Sequence, residues 1–498
     1  MTSHVPRKAY TEAELKTLYP DSLKLQHVQI LLRHGERSPV SARFANTGLS
    51  PFWPYCAIAR QIVSATMNNS IKDWGSLQWR RRLETFGSSD NPVIASGPAG
   101  EVDAICNLGE LTDQGRASTH YLGRRLRKLY VDQLGFMPEL ITDADMIYLR
   151  ATPIPRALES LQEAFWGLYP PNSRASDFPP PTILTRAPAD ETLYPNDGNC
   201  RRFAMLSRAF AQRTADRWND SSEMKYITKR IGQYMPDPAK GVAVDSHPRL
   251  SGIMDTINST LAHGPETRLP KEFYDQKVRD HIEKIGNEEW FSGYKESREY
   301  RMLGIGGLMG DIVERMIGSV EMNGNDGIFE IGGERKAPIT QGRGGEVEIK
   351  MGMSGCHDTT LAAVLASLGT FDTDKWPPYT SHIAIEMFRD AKIPREKKPS
   401  EDIISQRTIT TPAPKPTVRN SWFGWFNKSQ TPTNQNEKTI GIARKKIQEM
   451  SDEEKKKLDG YYVRVKYNDE VMPIPGCKLP GNHLEGDESF CTLVSSYI

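Results

Sequence analysis

The chain is poor in cysteine, has no long apolar run and carries almost no net charge. Its six cysteines are scattered over 498 residues without a CxxC pair or the spacing of metal ligands, so the sequence predicts no metal site. No stretch approaches the roughly 18 consecutive apolar residues of a transmembrane helix. The 64 basic and 63 acidic residues give a net charge of +1, which indicates no general affinity for nucleic acid or an anionic membrane. These shortages argue against zinc-finger, membrane-spanning and nucleic-acid-binding proteins.

The first residues and the cysteines both predict a location inside the cell. Residues 1–19 are polar and lack the apolar core of a secretory signal, which predicts a cytoplasmic or mitochondrial protein. We accordingly expect most of the cysteines to be buried thiols. Cys477 and Cys491 flank a short segment rich in glycine and proline, and an oxidising compartment would allow them to form a disulfide.

One segment combines a predicted strand with residues suited to phosphate chemistry. Residues 28–32 are mostly aliphatic and predict a buried strand, which the turn residue Gly35 would end. Arg33, His34 and Arg37 then lie at the carboxyl end of a strand, where open α/β sheets bind ligands. The alternative is a strand-end histidine beside exposed arginines that only solvate a turn.

The types of these residues fit an imidazole that attacks phosphorus. Arginine stays protonated, and its planar guanidinium matches two oxygens of a phosphate, so that two arginines can hold a dianion. Histidine has an ordinary pKa of about 6.5 and keeps a neutral, nucleophilic nitrogen near neutral pH. The neighbouring cations Arg33 and Arg37 should oppose protonation of His34. His34 is therefore our candidate nucleophile.

The order of these residues resembles a known family motif. Residues 33–39, Arg-His-Gly-Glu-Arg-Ser-Pro, are similar to the RHGxRxP motif of the histidine acid phosphatases of branch 2. The resemblance implies that His34 attacks the phosphate and that Arg33 and Arg37 bind its oxygens.

The family has a third phosphate-binding arginine at the end of a second short motif. Here a predicted strand at 146–149 leads into residues 150–156, and the last of these, Arg156, matches that arginine. Pro153 and Pro155 stand where many members of the family have acidic residues. The resemblance implies that Arg156 binds the phosphate together with the first two arginines.

A His-Asp pair lies in the second half of the chain. His357 and Asp358 follow alternating apolar residues at 347–351, which predict a strand, and precede an apolar run at 361–368, which predicts a helix. The family has a His-Asp pair in this place, and the resemblance implies that His357 binds the phosphate while Asp358 protonates the leaving oxygen. Because the pair alone is uninformative, the alternative is that Asp358 only caps the helix.

The resemblance also implies the fold. We expect an α/β histidine-phosphatase core, similar to that of phosphoglycerate mutase, with helices on both sides of a central mixed sheet and an inserted helical domain. Apolar periodicity predicts helices at 112–130, 157–169, 203–218, 250–261, 273–285 and 308–317. The predicted segments are a polar leader (1–26), the first part of the core (27–199) with a loop excursion (41–107), the helical domain (200–318), the second part of the core (319–390), an insertion (391–459) and a final core strand with a tail (460–498).

The insertion at 391–459 is the segment least similar to the family. It is rich in proline, lysine, threonine and asparagine, which predicts disorder up to about residue 435, and a short charged helix is expected at 440–458. It contains the aromatic residues Trp422, Phe423, Trp425 and Phe426. These side chains either dock on the domain or contact a membrane interface or a protein partner.

Together the motifs predict an acid phosphatase that hydrolyses a phosphate monoester through a phosphohistidine, without metal or cofactor. Residues 122–130 and 158–160 are most similar to the intracellular lysophosphatidic acid phosphatases of the family, so lysophosphatidic acid or another small phosphomonoester is the expected substrate. A phytase or inositol-phosphate phosphatase is the alternative within the family. Two other classes stay open, a mutase or kinase-like relative and a non-catalytic interaction protein on the same scaffold.

Overall fold

The computed structural model describes residues 2–68, 73–142, 144, 146–321, 349–371, 375–393 and 442–495. Nine of the thirteen strands in these residues form one mixed sheet. The strands are β1 (Leu23–Arg33), β2 (Ile62–Met67), β3 (Trp74–Trp79), β4 (Glu84–Phe86), β5 (Pro92–Ile94), β6 (Ile147–Ala151), β7 (Ile183–Leu184), β8 (Met351–Cys356), β9 (His382–Asp390), β10 (Tyr461–Tyr467), β11 (Glu470–Val471), β12 (His483–Leu484) and β13 (Asp487–Thr492).

The centre of the sheet determines where a ligand site can form. The strand order is β12-β13-β10-β9-β1-β8-β6-β7, with β11 beside β10. β1, β8, β6 and β7 run parallel to one another, whereas β9 runs antiparallel to β1. Arg33 lies opposite Cys356, and Ala151 lies opposite Gly355. The carboxyl ends of β1, β8 and β6 therefore meet at one edge, and the predicted mixed sheet is confirmed.

The described residues contain eleven α-helices. They are α1 (Glu12–Leu18), α2 (Asp113–Arg127), α3 (Pro155–Leu168), α4 (Arg201–Trp218), α5 (Ser222–Ile231), α6 (Leu250–Ala262), α7 (Gln276–Glu296), α8 (Arg298–Gly304), α9 (Gly306–Glu321), α10 (Asp358–Ser367) and α11 (Asp452–Lys457). α2 and α3 approach backbone to backbone: a Cβ on Gly123 would lie 2.0 Å from the carbonyl oxygen of Ala164. Glycine is therefore required at this crossing.

Six consecutive helices, α4–α9, share their hydrophobic core with the sheet. One continuous cluster includes Leu31 of β1, Phe203 of α4 and Ile253 of α6. The helices predicted at 203–218, 250–261 and 308–317 are confirmed. The helix predicted at 273–285 begins later, because the side chain of Asp275 caps it by accepting a hydrogen bond from Val278 N at 3.0 Å, and it continues to Glu296.

The excursion at 41–107 is more ordered than the sequence predicts. It contains the hairpins β2–β3 and β4–β5, and a turn at 88–90 joins the second pair. Cys56 and Cys106 form a disulfide with their Cα atoms 5.0 Å apart, so the expectation of free thiols there is wrong. Backbone hydrogen bonds at 2.9 Å, one from Cys56 N to Ala104 O and one from Cys106 N to Trp53 O, bring the two residues together.

The C-terminal segment departs from the prediction in one respect. Cys477 and Cys491 form the disulfide that their spacing allows. Of the charged helix expected at 440–458 only α11 is α-helical, because Ser451 caps it there by accepting a hydrogen bond from Glu454 N at 3.2 Å. Two 3-10 turns precede it, Ile442–Arg444 and Ile447–Glu449. The aromatic residues at 422–426 lie outside the described residues, and no described helix has the length and apolar character to cross a bilayer.

Candidate active site

The six residues predicted for the site come together at the carboxyl edge of the sheet. They are Arg33, His34 and Arg37 at and just after the end of β1, Arg156 in the first turn of α3, and His357 and Asp358 at the start of α10. His34 N donates a hydrogen bond to Cys356 O at 3.1 Å, which fixes the loop to β8. The ring centroids of His34 and His357 are 5.5 Å apart.

His34 has the tautomer and the charge of a nucleophile. Its Nδ1 lies 2.9 Å from the carbonyl oxygen of Gly35, and an N–H that donates there leaves Nε2 unprotonated. Burial lowers the pKa of His34 well below its ordinary value, and the cations Arg156, Arg33 and Arg37 lower it further. The imidazole is therefore neutral, with a free lone pair on Nε2, even in acidic solution.

The loop that carries His34 is held between α2 and α3. A Cβ on Gly35 would lie 2.2 Å from the carbonyl oxygen of Gly115, so no larger residue fits. Gly35 N donates to Ser160 Oγ at 3.1 Å, and this hydroxyl donates to Arg156 O at 2.7 Å. Ser160 thereby connects the histidine loop to the helix turn that carries the third arginine.

Arg33 and Arg37 are each oriented by a carboxylate and by the same aromatic ring. Arg33 Nη2 lies 2.7 Å from Asp358 Oδ2, and Arg37 Nη1 lies 2.7 Å from Asp255 Oδ1. The ring of Tyr379 lies beneath both guanidinium groups, 4.2 Å from that of Arg33 and 5.8 Å from that of Arg37. These contacts hold two planar donor groups in place before any phosphate binds.

Arg156 differs from the other two arginines because it forms no ion pair with a carboxylate of the described residues. Its contact is a long hydrogen bond of 3.5 Å from Nη1 to Gly109 O, and its buried Nε has no partner. Burial, followed by repulsion from Arg37, lowers the pKa of Arg156 to about 10. A phosphate dianion beside Arg156 would supply the missing negative charge.

His357 is a neutral hydrogen-bonding residue at the start of α10. Its Nε2 lies 3.1 Å from Thr152 Oγ1. Burial and the charge of Arg156 lower the pKa of His357 to about 3. His357 is also the N-cap residue of α10, whereas Asp358 is already its first helical residue. The idea that Asp358 caps the helix is therefore wrong, because the extended backbone that a cap needs belongs to His357.

The carboxylate of Asp358 is bound by donors on two sides. Arg33 Nη2 lies 2.7 Å from Oδ2, and the indole Nε1 of Trp376 donates to the same oxygen at 2.9 Å. Burial raises the pKa of Asp358, but Arg33, Trp376 and Arg37 together outweigh this effect and hold the pKa below its ordinary value. The group is therefore ionised in the ligand-free site.

Sequence reasoning missed four residues that complete the site. They are Thr152, Asp255, Trp376 and Tyr379. Asp255 comes from α6 and gives no local signal of its role, because only the packing of α6 brings it to Arg37. The pair Trp376 and Tyr379, separated by two prolines just before β9, is the one signal in the sequence that could have drawn attention.

Two further polar residues near this edge have structural roles. Arg150, the first residue of the second motif, is 1% exposed and pairs with Glu191 at 2.6 Å and with Asp311 at 3.1 Å. Burial raises the pKa of the Cys356 thiol, which therefore stays protonated and is a poor nucleophile.

A cleft of about 220 Å³ opens beside Arg33 and Asp358. Its walls include the apolar side chains of Val40, Met254 and Trp290. The cleft lies next to the carboxylate of Asp358.

The chain is similar to known proteins over most of its length. The model of the histidine phosphatase superfamily (branch 2) matches residues 24–405. A probable acid phosphatase of Schizosaccharomyces pombe is 33% identical over 475 residues, which cover 95% of this chain and 91% of the relative. The lysophosphatidic acid phosphatase type 6 of Homo sapiens is 23% identical over 371 residues, or 74% of each protein.

Solved structures show the same fold at low sequence identity. The phytase of Hafnia alvei in complex with myo-inositol hexakis sulphate superposes with a TM-score of 0.52, at 13% identity, over 96% of each chain. With the family match over most of its length, the chain belongs to branch 2 of the histidine phosphatase superfamily and is a histidine acid phosphatase.

Proposed function

We propose that this acid phosphatase hydrolyses phosphate monoesters in two steps and that His34 carries the phosphoryl group between them. The observation that carries the proposal is a buried, neutral imidazole among three guanidinium groups. Arg33, Arg37, Arg156 and His357 bind the peripheral phosphate oxygens, so that the phosphorus faces His34 Nε2. Asp358 is the proton donor.

In the first step the lone pair of His34 Nε2 forms a bond to phosphorus, and the bond from phosphorus to the ester oxygen breaks. Asp358 transfers its proton to that oxygen, which leaves as an alcohol. The substrate itself prepares this proton transfer. When the phosphate dianion takes over Arg33 and adds negative charge, it raises the pKa of Asp358 from its depressed value in the ligand-free site.

In the second step water attacks the phosphohistidine and the bond from phosphorus to His34 breaks. The carboxylate of Asp358 now accepts a proton from this water, and inorganic phosphate leaves. The same group acts first as an acid and then as a base, so the site returns to its initial protonation state.

The two ionisable groups set the expected pH dependence. Asp358 must be protonated when substrate is bound, so turnover should fall as pH rises through its pKa in the complex. His34 must be neutral, and its lowered pKa favours the neutral form in mildly acidic solution. The site therefore favours an acidic optimum.

We propose a phosphomonoester with one phosphate and an apolar alcohol as the substrate class, and lysophosphatidic acid is one example. The walls of the cleft beside Asp358 are apolar at Val40, Met254 and Trp290. Arg43, which also lines it, is already paired with Asp255 at 3.1 Å. An inositol polyphosphate is the alternative substrate, and it would need more unpaired cations for its additional phosphates.

Turnover of p-nitrophenyl phosphate tests the reaction. We expect acidic hydrolysis that EDTA does not abolish, its loss in His34→Ala, and normal turnover in the control His281→Ala. Added glycerol should receive part of the phosphoryl group, because the covalent intermediate partitions between two acceptors. Equal release of phosphate and nitrophenol at every glycerol concentration would contradict the two-step path, and absence of activity would favour a non-catalytic scaffold.

The substrate class is tested separately with Trp290→Ala. This change should reduce kcat/KM for lysophosphatidic acid and leave that for p-nitrophenyl phosphate nearly unchanged, since the small ester does not fill the cleft. If inositol hexakisphosphate is hydrolysed more efficiently than lysophosphatidic acid by the unaltered protein, the alternative holds.

The cellular location and the aromatic run also stay proposals. The sequence favours a cytoplasmic or mitochondrial protein, whereas the disulfides Cys56–Cys106 and Cys477–Cys491 favour an oxidising compartment. Alkylation under denaturing conditions, immediately after lysis of the native cell, decides between these locations. Two alkylated cysteines indicate an oxidising compartment, and six indicate a reducing one. We propose that the aromatic residues contact a membrane; they are Trp422, Phe423, Trp425 and Phe426. Deletion of 400–435 should then lower activity on vesicle-bound lysophosphatidic acid and leave activity on soluble esters unchanged.

A further inference from the structure

A second concave surface lies between α2 and the segment that precedes α1. This α2 groove has a volume of about 580 Å³ and shares no lining residue with the cleft at Asp358. Its cations are Arg7, Lys8, Arg124, Arg125, Arg127 and Lys128. They face two carboxylates, Asp132 and Asp469, in a chain whose net charge is only +1. The positive charge is therefore a local property of the α2 groove.

Several of these cations remain available to a ligand. Arg125 pairs with Asp469 within the groove. The exposed side chains of Lys8 and Arg124, in contrast, form no ion pair with any carboxylate of the described residues. Lys128 approaches Asp132 only at 3.7 Å and is itself half exposed. An ion pair that solvent screens in this way contributes little to stability, so a more highly charged anion can readily displace the carboxylate.

The protonation equilibria around the groove reflect its positive potential. Burial lowers the pKa of Arg125, and the charge of Arg7 lowers it further. Burial and the charge of Arg125 together lower the pKa of His4, the neighbour of this cluster, to about 4. An anion in the groove would relieve both of these repulsions.

The floor of the groove is apolar, in contrast to its charged walls. Leu122 and Leu126 of α2 are buried along it, and Tyr121, which is 47% exposed, stands at its side. Tyr10 lies opposite, with the guanidinium of Arg7 at 4.0 Å from its ring. A ligand that fits must therefore combine an anionic group with an organic body that packs on leucine and tyrosine.

We propose that the α2 groove binds a small organic phosphate at a site separate from the catalytic one. The guanidinium of Arg124 and the ammonium of Lys8 bind the phosphoryl group, since both are charge donors without a carboxylate partner. The volume of the groove lies within the range of about 300–1,000 Å³ that pockets for small molecules occupy.

Calorimetric titration with methylenediphosphonate, a phosphate mimic that resists hydrolysis, tests the proposal on the full chain. We expect two binding sites at low ionic strength. The double variant Lys8→Gln with Arg124→Gln should lose affinity at one site by at least about tenfold, since it removes two charge-assisted hydrogen bonds. Both side chains are exposed, and kcat/KM for p-nitrophenyl phosphate should not change.

The matched control removes two exposed lysines elsewhere, Lys225→Gln with Lys229→Gln on α5. It changes the net charge equally and should keep both sites. A single site in the unaltered protein, or equal weakening in the control, would overturn the proposal. Sedimentation with phosphatidylcholine vesicles, with and without phosphatidic acid, forms the second arm. If vesicle binding depends on Lys8 and Arg124 while no second diphosphonate site exists, the phosphate belongs to a membrane lipid and the soluble ligand is excluded.

Discussion

Two carboxylates, one on a central strand of the sheet and one on the helix that starts at its carboxyl edge, are both paired with arginine and yet serve different purposes. The side chain of Glu386, on β9, is 0% exposed, whereas that of Asp358, at the edge, is 16% exposed. The donors to Glu386 are Tyr19 at 2.6 Å, Tyr130 at 2.8 Å, Arg464 at 2.8 Å and Lys466 at 2.9 Å. Every one of these donors belongs to the protein, so the central cluster is complete without a ligand.

The pKa values of the two groups follow from this difference. Burial raises the pKa of Glu386, but Lys466 and Arg464 outweigh it and bring the pKa down to about 2. Nothing that binds at the surface can take away these partners. Asp358 depends on Arg33, which a phosphate can claim, so its pKa rises when substrate arrives. The comparison teaches that a permanent partner makes a carboxylate structural, whereas a partner shared with the substrate makes it switchable.

The largest expected effect is on catalysis at the edge. Asp358→Asn should slow turnover of an alkyl phosphate by about 10²–10⁴-fold, because the amide cannot donate the proton that the leaving alcohol needs. The loss in first-turnover release of nitrophenol from p-nitrophenyl phosphate should be much smaller, since nitrophenolate leaves without protonation. The control is Asp103→Asn, at a partly exposed carboxylate that pairs with Arg82. Equal losses on both esters would assign Asp358 a structural role.

The next effect is on stability at the centre. Glu386→Gln should lower the free energy of unfolding by about 3–5 kcal/mol, because Arg464 and Lys466 remain buried without their counter-charge. The ordinary pKa of Glu386 is 4.5 and its pKa in the fold is about 2. Its contribution is therefore present above pH 4.5 and is lost as pH falls through about 2.

Urea unfolding of Glu386→Gln at several pH values measures this. The difference from the unaltered protein should shrink between about pH 4.5 and pH 2, while Glu470→Gln, an exposed control on β11, should change little at any pH. A normal kcat in the fraction of Glu386→Gln that remains folded would show that Glu386 acts on stability and not on catalysis. A large loss of kcat with unchanged stability would reverse the two assignments.

A smaller effect is expected at Trp376. Its indole N–H lowers the pKa of Asp358, so Trp376→Phe should raise that pKa and move the alkaline limb of kcat/KM to higher pH. Trp290→Phe is the matched control, because Trp290 lines the same cleft but makes no hydrogen bond to Asp358. A shift of equal size in both variants would mean that cleft packing, and not the hydrogen bond, controls the proton donor.

The parts of the site that could be predicted from the sequence lie within single strand-and-loop segments. The first motif, residues 33–39, begins at the end of β1, and His357 directly follows β8. The motifs and the strand patterns together therefore indicate that these residues meet at one edge of the sheet. Helices with a clear apolar periodicity could be predicted from the sequence equally well. The mixed sheet was expected from the family resemblance, but its strand order was not predicted, because alternation within a strand does not say which strand lies beside it.

The remaining features depend on contacts between distant segments. Asp255 reaches Arg37 only through the packing of α6, and the disulfide Cys56–Cys106 depends on how the hairpins of the excursion fold back. Arg150 belongs to the second motif, yet the buried carboxylate of Glu191 gives it a structural role. No local pattern carries information of this kind, since the partner is chosen by the tertiary fold.

The central claim is that His34 carries the phosphoryl group, and trapping the intermediate tests it most directly. Protein mixed with a ³²P-labelled phosphomonoester and quenched within milliseconds should carry acid-labile, base-stable label. Peptide mapping should place the label on His34, and His34→Ala should carry none, whereas Asp358→Asn with an activated ester should accumulate it, because hydrolysis lacks its base. Undiminished label in His34→Ala, or label on another residue, would contradict the account.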